Sequence, residues 1–273
     1  MSIQLRIEAV SHRYANGNAR PRTVLKDITL NVNAGETVCL VGPSGCGKST
    51  LILLLAGLLQ PTGGGLICGS REIAGPGPDR AVVFDRDSLL PWLNCFENVY
   101  LAVEHVFGAN ETKGELRART GAALNRVGLY TMMHHFPAEL SAGMRRRVAL
   151  ARALAMEPEV LLLDDPFNAL DPETRAHLQY DVQRLVATLG TTVVMASHDI
   201  HETLMMADRV ALFTPGPTAS LSQVLPVALP RPRNRSALGK HSAYQDYHHY
   251  ILDFLHKMQT CNDAAGVPTT LTT

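Results

Sequence analysis

Two periodic patterns of apolar residues alternate along the chain. Short apolar runs that end at glycine or aspartate, such as "ETVCLVG" and "EVLLLDD", are typical of buried strands. Between such runs, apolar residues recur every three or four positions, as at Val148, Ala151 and Ala155, and this spacing predicts helices with one buried face. Strands that alternate with helices predict an α/β fold with a parallel sheet.

Local signals place several elements more closely. An apolar helix is predicted over residues 48–59, and the pattern is mainly helical over residues 89–157. Asp171 is a good N-cap for the next helix, because its side chain can accept a hydrogen bond from the first turn. Pro172 suits the first helical position, and Gly190 follows the last turn.

The character of the sequence changes after about Phe213. Pro-rich and basic stretches such as "LPRPR" predict a linker with a basic surface, whose arginines contact a partner or stay solvated. A short helix is predicted over residues 244–258, and the last residues predict a frayed tail.

Composition narrows the class of protein. Of 273 residues, 46% are hydrophobic, which is enough for a sizeable core, and 25 basic residues balance 25 acidic ones. That balance argues against a protein that holds nucleic acid by bulk charge. Five scattered cysteines without a C-x-x-C pair predict free thiols in a reducing compartment. Without a signal-peptide pattern or a run of about 20 apolar residues, we expect a cytosolic chain without a membrane span.

The stretch "GPSGCGKST" fits the pattern G-x-x-x-x-G-K-[ST], between a predicted strand and a predicted helix. Glycines let backbone N–H groups surround phosphate oxygens, and the helix N-terminus adds positive potential. Lys48 is expected to reach the β- and γ-phosphates of ATP, and Ser49 to supply a hydroxyl to Mg²⁺. The predicted ATP-binding residues are Gly42, Pro43, Ser44, Gly45, Cys46, Gly47, Lys48, Ser49 and Thr50.

Two adjacent aspartates end the apolar run of "VLLLDDPFNALD". A P-loop site needs such a carboxylate, and Asp164 is expected to hold Mg²⁺ through a water or through Ser49. Asp165 would face the γ-phosphate and polarise the attacking water. The alternative is that the pair simply terminates a strand, and the upstream P-loop makes that alternative the weaker one.

A third motif, "LSAGMRRRVALARAL", lies between the other two. With them it resembles the ATP-binding subunit of ABC transporters, over roughly residues 3–213. The resemblance implies a P-loop NTPase (RecA-like) α/β core with an N-terminal antiparallel β subdomain and an α-helical subdomain at about residues 86–157. The ATP-binding domain would cover residues 1–215, and residues 216–273 would form a C-terminal extension.

The resemblance also implies roles for single residues. Tyr14 would stack on adenine, and a histidine at the place of His198 normally contacts the γ-phosphate. Asp85 stands where the family usually has a glutamine that senses Mg²⁺ and the membrane partner. The loop with Ala169, Leu170 and Asp171 would cross the interface of a dimer. The residues that would contact ATP bound by the opposite subunit are Ser141, Ala142, Gly143 and Met144.

Three residues depart from the family pattern. Asp165 replaces the usual glutamate and is one methylene shorter, about 1.5 Å of reach. Because a misplacement near 1 Å can cost about 10²-fold in rate, slower hydrolysis is expected. Asp85 replaces an amide with a carboxylate, which is a good Mg²⁺ ligand and adds negative charge. Ala142 replaces a glycine at a first helical position, where alanine is comfortable.

The expected function is that of an ATP-hydrolysing subunit of an ABC importer. Stretches such as "LLPWLNCFENV" and "YHHYILDFL" resemble importers of nitrate, sulfonate or taurine, with bicarbonate transporters as relatives. The implied partners are a second ATP-binding subunit, transmembrane permease subunits and, indirectly, a substrate-binding protein, at the cytoplasmic face of the inner membrane. The alternative is a weakly hydrolysing, regulatory half of an asymmetric dimer. A soluble ABC protein of DNA repair or translation fits poorly, since the chain has no second cassette and no basic excess.

Overall fold

The computed structural model of this chain describes residues 3–16, 19–84, 88–168, 170–231, 233, 238–239 and 241–264. These residues form two β-sheets, with helices packed against the larger sheet. The smaller sheet is antiparallel, with strand order β2-β1-β4-β5. Its strands are β1 Leu5–Asn16, β2 Ala19–Val32, β4 Gly63–Cys68 and β5 Arg71–Glu72.

The larger sheet has six strands in the order β10-β9-β3-β8-β7-β6. Neighbouring strands are parallel, except for β10, which runs antiparallel to β9. The strands are β3 Thr37–Val41, β6 Arg80–Val83, β7 Val160–Asp164, β8 Thr192–Ala196, β9 Arg209–Phe213 and β10 Leu221–Pro226.

Seven α-helices accompany these sheets within the described ranges. They are α1 Lys48–Leu55, α2 Cys95–Phe107, α3 Lys113–Arg126, α4 Ala142–Ala155, α5 Pro172–Leu189, α6 Ile200–Met206 and α7 Ser242–Ala264. Short 3-10 helices at Tyr130–Met132 and Pro137–Glu139 connect α3 to α4. In the part of the chain that the structure describes, no helix is both long and apolar enough to cross a membrane.

Strand β7 shows why a continuous apolar run forms a strand here. Leu161 and Leu163 belong to the core cluster on one side of the larger sheet, and Val160 and Leu162 belong to the cluster on the other. A parallel sheet covered on both faces requires apolar residues at every position of its strands. The run ends at Asp164, which therefore lies at the C-terminal edge of the sheet.

The local signals at both ends of α5 are confirmed. Asp171 Oδ1 accepts a 2.9 Å hydrogen bond from Thr174 N, and Gly190 ends the helix with φ 67°. The buried face differs from an aliphatic stripe: it carries Gln179 and Gln183, while Leu189 is exposed. These amides are buried because they bond to other buried polar groups, which the sequence pattern does not reveal.

Part of the predicted C-terminal linker forms regular structure, whereas the predicted frayed tail after Ala264 lies outside the described residues. Leu221–Pro226 pairs with β9 as strand β10, and the final helix starts at Ser242 and runs on to Ala264. Conversely, the helix predicted to reach Leu59 already ends at Leu55.

Arg233 is neither a partner contact nor a solvated linker residue. Its side chain is 2% exposed, and its guanidinium donates to the carbonyl oxygens of Leu204, Ala207, Val227 and Leu229. Two of these carbonyls lie at the C-terminal end of α6, where orphan carbonyl groups attract a cation. The "LPRPR" segment is therefore anchored to the core.

Candidate nucleotide-binding site

The Gly-rich stretch forms the turn between β3 and α1. Gly45 and Gly47 have φ of 75° and 95°, in the left-handed region that glycine tolerates. A Cβ at Gly47 would also lie 2.7 Å from Leu25 Cδ2, which is closer than packed carbon atoms come. Among the described side chains none caps α1, so its first N–H groups point into the turn, as an anion site requires.

Lys48 lies at the centre of this turn and is 5% exposed. Its ammonium donates to Gly42 O at 2.8 Å and Pro43 O at 3.2 Å, and Cys46 Sγ lies 3.8 Å away. Burial raises the pKa of the Cys46 thiol, although the lysine beside it acts in the opposite direction. The loop therefore holds a cation where backbone N–H groups converge, which favours a phosphate group.

Ser49 and Asp164 meet at the mouth of the larger sheet. The Ser49 hydroxyl donates to Asp164 Oδ1 at 3.0 Å, and Asp164 is 8% exposed. A hydroxyl and a carboxylate are hard oxygen donors, and Mg²⁺ takes one or two protein oxygens together with water and phosphate oxygens. The residues present therefore fit the ion. Among the described residues no cluster of three or more His, Cys, Asp or Glu side chains could hold a metal by itself.

Asp165 and His198 form a second pair beside the first. Asp165 Oδ1 accepts a 3.1 Å hydrogen bond from the backbone N–H of His198, and Oδ2 lies 3.3 Å from His198 Nε2. Asp165 has φ 43°, and its own N–H donates to Ala196 O at 3.0 Å. The ends of β7 and β8 thus bring a carboxylate and an imidazole together.

A cavity of about 540 Å³ joins these groups to Tyr14. Its lining includes Tyr14, Lys48, Ser49 and His198, and its volume lies within the ordinary range for small-molecule sites. Tyr14 is 39% exposed, and its hydroxyl lies 3.3 Å from Thr50 Oγ1. The aromatic ring and the phosphate loop thus line the same cavity. The remaining lining residues are Arg22, Val24, Ser44, Gly45, Gly47 and Thr50.

The signature residues lie outside this cavity. Ser141 is the N-cap of α4 and accepts a 3.2 Å hydrogen bond from Met144 N, so Ala142 occupies the first helical position, as predicted. Ser141 and Ala142 are exposed, and Gly143 is partly exposed. Asp171 is also exposed at the N-terminus of α5, where the hydrogen bond from Thr174 N lowers its pKa. Residues of this kind are accessible to a second subunit.

Asp85 and Ala169 lie outside the described residues, but the segments around Asp85 are placed. Helix α4 donates to both of them: Arg146 to Phe84 O, and Arg152 to Ser88 O at 3.0 Å and Ser88 Oγ at 2.8 Å. Burial lowers the pKa of Arg152. Helix α4 is thus bonded to the described residues on either side of positions 85–87.

The sequence patterns do not predict one group near the site, the carboxyl of Glu202. Glu202 lies on α6 and is 5% exposed. Its Oε2 accepts a hydrogen bond from Ser197 Oγ, and its Oε1 accepts one from Gln179 Nε2. Burial raises its pKa to about 7, with a further contribution from Asp199 and Asp165. The only signal in the sequence is its position four residues after His198.

Comparisons with known proteins agree with this geometry. The family model described as ABC transporter matches residues 25–168. The chain is 49% identical to a nitrate transport protein of Klebsiella oxytoca, over 93% of this chain and 97% of that protein. It is 43% identical to a bicarbonate transport ATP-binding protein of Synechocystis sp., over 96% of this chain and 92% of that protein.

Among solved structures, it matches a dimeric ATP-binding cassette in a post-hydrolysis state bound to ADP and Pi. The TM-score is 0.75 and the identity 29%, over 83% of this chain and all of that one. This match confirms the P-loop α/β fold expected from the three motifs. The chain belongs to the ABC transporter family and is an ATP-binding subunit, an ATPase coupled to transport.

Proposed function

We propose that this chain hydrolyses ATP with Mg²⁺ to drive the import of a small inorganic anion, with nitrate the first candidate and bicarbonate the second. The observation that carries the ATPase part is the convergence of the Ser49–Asp164 and Asp165–His198 pairs beside the P-loop. The names of the two relatives support the anion part. Sulfonates and taurine rank below nitrate and bicarbonate as candidate substrates, because only the resemblance of short sequence stretches supports them.

In the proposed mechanism each group of this chain has a distinct task. Backbone N–H groups of the P-loop and the Lys48 ammonium hold the phosphates. Ser49 and Asp164 would hold Mg²⁺, which neutralises charge on the phosphate oxygens when it is bound. Asp165 orients and polarises the attacking water, and His198 keeps that carboxylate in place while it contacts the γ-phosphate.

We infer that Tyr14 stacks on the adenine ring. Its ring lines the same cavity as the phosphate loop, and the Thr50 hydroxyl, 3.3 Å from the Tyr14 hydroxyl, limits rotation of the ring. Stacking on an aromatic face tolerates any base, so this contact supplies affinity more than selectivity.

The proposed assembly is a head-to-tail dimer docked to permease subunits at the cytoplasmic face of the inner membrane. The exposed Ser141–Gly143 segment and Asp171 support the dimer, since their positions outside the cavity suit a role at the opposite subunit's ATP. We infer from resemblance alone that Asp85 acts as metal ligand or sensor, since it lies outside the described residues.

The proposed docking surface for the permease is the loop before α2. Trp92 is 68% exposed there, although tryptophan is seldom left so open without a partner. Hydrogen bonds from the buried Asn98 side chain fix the conformation of the loop. Asn98 accepts from Leu90 N and donates to the carbonyl oxygens of Leu90, Leu93 and Asn94. A rigid loop with an exposed aromatic residue suits recognition of another protein.

Uptake by the assembled transporter tests the proposed substrate. Membrane vesicles that contain this chain, its permease and its binding protein should accumulate nitrate when ATP is supplied inside, and Lys48→Ala should abolish accumulation. Bicarbonate and taurine serve as competing substrates in the same vesicles. ATP-dependent uptake of taurine but of neither inorganic anion would contradict the proposal.

Docking is tested separately with Trp92→Ala. The variant should lose co-purification with the permease while its own ATPase rate stays the same. Tyr180→Ala is the matched control, because Tyr180 is a comparably exposed aromatic residue (47%) on α5. Equal retention of the permease by both variants would remove Trp92 from the interface.

A further inference from the structure

The turn that carries His198 is held at each of its three residues. His198 is bonded through its backbone and its ring to Asp165. Asp199 is the N-cap of α6 and accepts from Glu202 N at 3.1 Å. Ser197 Oγ accepts a 3.1 Å hydrogen bond from Asp199 N and donates to Glu202 Oε2. The turn therefore closes on the Glu202 carboxylate one helical turn into α6.

Glu202 also contacts α5, the helix that follows the loop predicted to cross the dimer interface. Gln179 Nε2 of α5 donates to Glu202 Oε1 at 3.4 Å, and both side chains are at least 95% buried. A buried carboxylate with a bonded partner at each oxygen is costly to build and confines the groups around it. The Glu202–Gln179 contact connects α5, whose N-cap is Asp171, with the turn that carries His198.

We propose that Glu202 is a positioning residue for hydrolysis: through Ser197 it holds the turn of residues 197–199 so that His198 stays on Asp165. The inference rests on the proposed roles of Asp165 and His198. Hydrolysis would then also require Glu202, because the His198 imidazole and the Asp165 carboxylate would lose their alignment if residue 202 could not hold Ser197.

The charge of Glu202 depends on groups from four directions. Asp165 after β7 and Asp199 on its own turn repel the carboxylate, and Arg175 of α5 attracts it. The Cys39 thiol of β3, whose pKa burial raises, is buried nearby and senses the same carboxylate. Burial is the largest cause that raises the pKa of Glu202 to about 7. The hydrogen bond from Ser197 and the charge of Arg175 lower this pKa, and Asp199 and Asp165 raise it further.

Ionisation of Glu202 matters for the turn because the charged form is the stronger acceptor for the Ser197 hydroxyl. The turn is therefore held best above the pKa of Glu202, and the rate of hydrolysis should fall as pH drops below it. A glutamine at position 202 keeps an acceptor oxygen but does not titrate.

Steady-state kinetics of the full chain test the proposal. Glu202→Ala should lower kcat by at least about tenfold, the scale for a displaced reacting group, while ATP affinity changes less than about threefold. Glu202→Gln should restore most of the wild-type kcat near pH 8 and remove the decline of kcat that wild type shows below about pH 7. A kcat of Glu202→Ala within threefold of wild type, or a Gln variant that keeps the wild-type pH profile, would overturn the proposal.

The two buried glutamines of α5 supply a matched control. Gln179→Leu removes a donor to Glu202 and should lower kcat, whereas Gln183→Leu should leave it unchanged, because Gln183 bonds to Arg233 O instead. Equal effects of the two substitutions would indicate a general packing defect of α5 and overturn the specific role of Glu202.

Amide hydrogen exchange tests whether the turn of residues 197–199 is held in place without measuring ATP hydrolysis. Ser197→Ala, which leaves the buried carboxylate in place, should speed exchange at the amide of His198, which donates to Asp165 and not to Ser197, by about tenfold or more, and Gln183→Leu should not. Unchanged exchange would overturn the proposal even for a variant that hydrolyses ATP poorly. If wild type hydrolyses no faster than Lys48→Ala, the proposed function fails while the exchange result still stands.

Discussion

The imidazole of His198 lies 3.3 Å from one oxygen of Asp165, and the backbone N–H of the same histidine donates to the other oxygen at 3.1 Å. Both oxygens of a short side chain thus point to the β8 turn. A glutamate in that place would carry its carboxylate about 1.5 Å farther from the backbone. The pair explains how the carboxylate is oriented and why its length matters.

Substitution Asp165→Glu is therefore expected to raise the rate of ATP hydrolysis. The added reach of about 1.5 Å moves the carboxylate towards the attacking water, and we expect a gain on the order of 10- to 100-fold in kcat. Phosphate release from the purified chain at saturating ATP measures it. Asp165→Asn is the control and should lower the rate, since it keeps the length but removes the base. A glutamate variant no faster than wild type would show that side-chain length does not limit hydrolysis.

Substitution at Tyr14 separates ring stacking from the hydroxyl contact. Tyr14→Ala should weaken ATP binding by about 1–3 kcal/mol, the usual loss for a stacked base, with little change in kcat. Tyr14→Phe keeps the ring and loses only the 3.3 Å contact with Thr50, so its affinity should stay close to wild type. Titration with ATP followed by calorimetry gives both values. If the phenylalanine variant binds as weakly as the alanine variant, stacking is not the role of Tyr14.

The buried Arg233 should contribute far more stability than its exposed neighbour Arg231. Arg233→Ala leaves four buried carbonyl groups without their donor, and a loss of about 2–4 kcal/mol in the free energy of unfolding is expected. Arg231 pairs with Asp208 at 2.8 Å on a partly exposed surface, so Arg231→Ala should cost under about 1 kcal/mol. Urea unfolding compares the two, and equal losses would contradict the anchoring of this segment.

Glu202 should make stability depend on pH in the opposite sense to an ordinary salt-bridged carboxylate. Its pKa is raised from 4.5 to about 7, so the folded chain binds more protons than the unfolded chain between these values. The free energy of unfolding therefore falls as pH rises through that window, by at most about 1.4 kcal/mol per pH unit, and levels off above it. Urea unfolding of wild type and Glu202→Gln between about pH 5 and 8 isolates this contribution. Parallel curves for the two proteins would contradict it.

The sequence predicts those parts of the fold that depend on local signals. Asp171 and Gly190 bound α5 as expected, because capping depends on a few adjacent residues. Strand β10 was missed because Leu221–Pro226 is only partly buried and lies at the edge of the sheet, where the apolar pattern is weak. Arg233 was misassigned because a basic residue in a Pro-rich stretch is ordinarily exposed.

The residues of the site also fall into those that local motifs predict and those that depend on tertiary contacts. Lys48, Ser49 and Asp164 come from motifs whose spacing fixes their roles, and the structure brings Ser49 and Asp164 within 3.0 Å. Glu202 could not be predicted, since its burial depends on Gln179 from α5 and on Ser197 at the end of β8. No pattern within one element contains that information.

Hydrolysis of ATP at this P-loop is measured by the steady-state ATPase rate of the purified chain, with Lys48→Ala as the reference. Lys48 carries the cation at the centre of the loop, so its removal should lower the rate at least about 10²-fold, towards background. We expect magnesium-dependent phosphate release by wild type well above that of Lys48→Ala. A wild-type chain that binds ATP yet releases phosphate no faster than Lys48→Ala would contradict it.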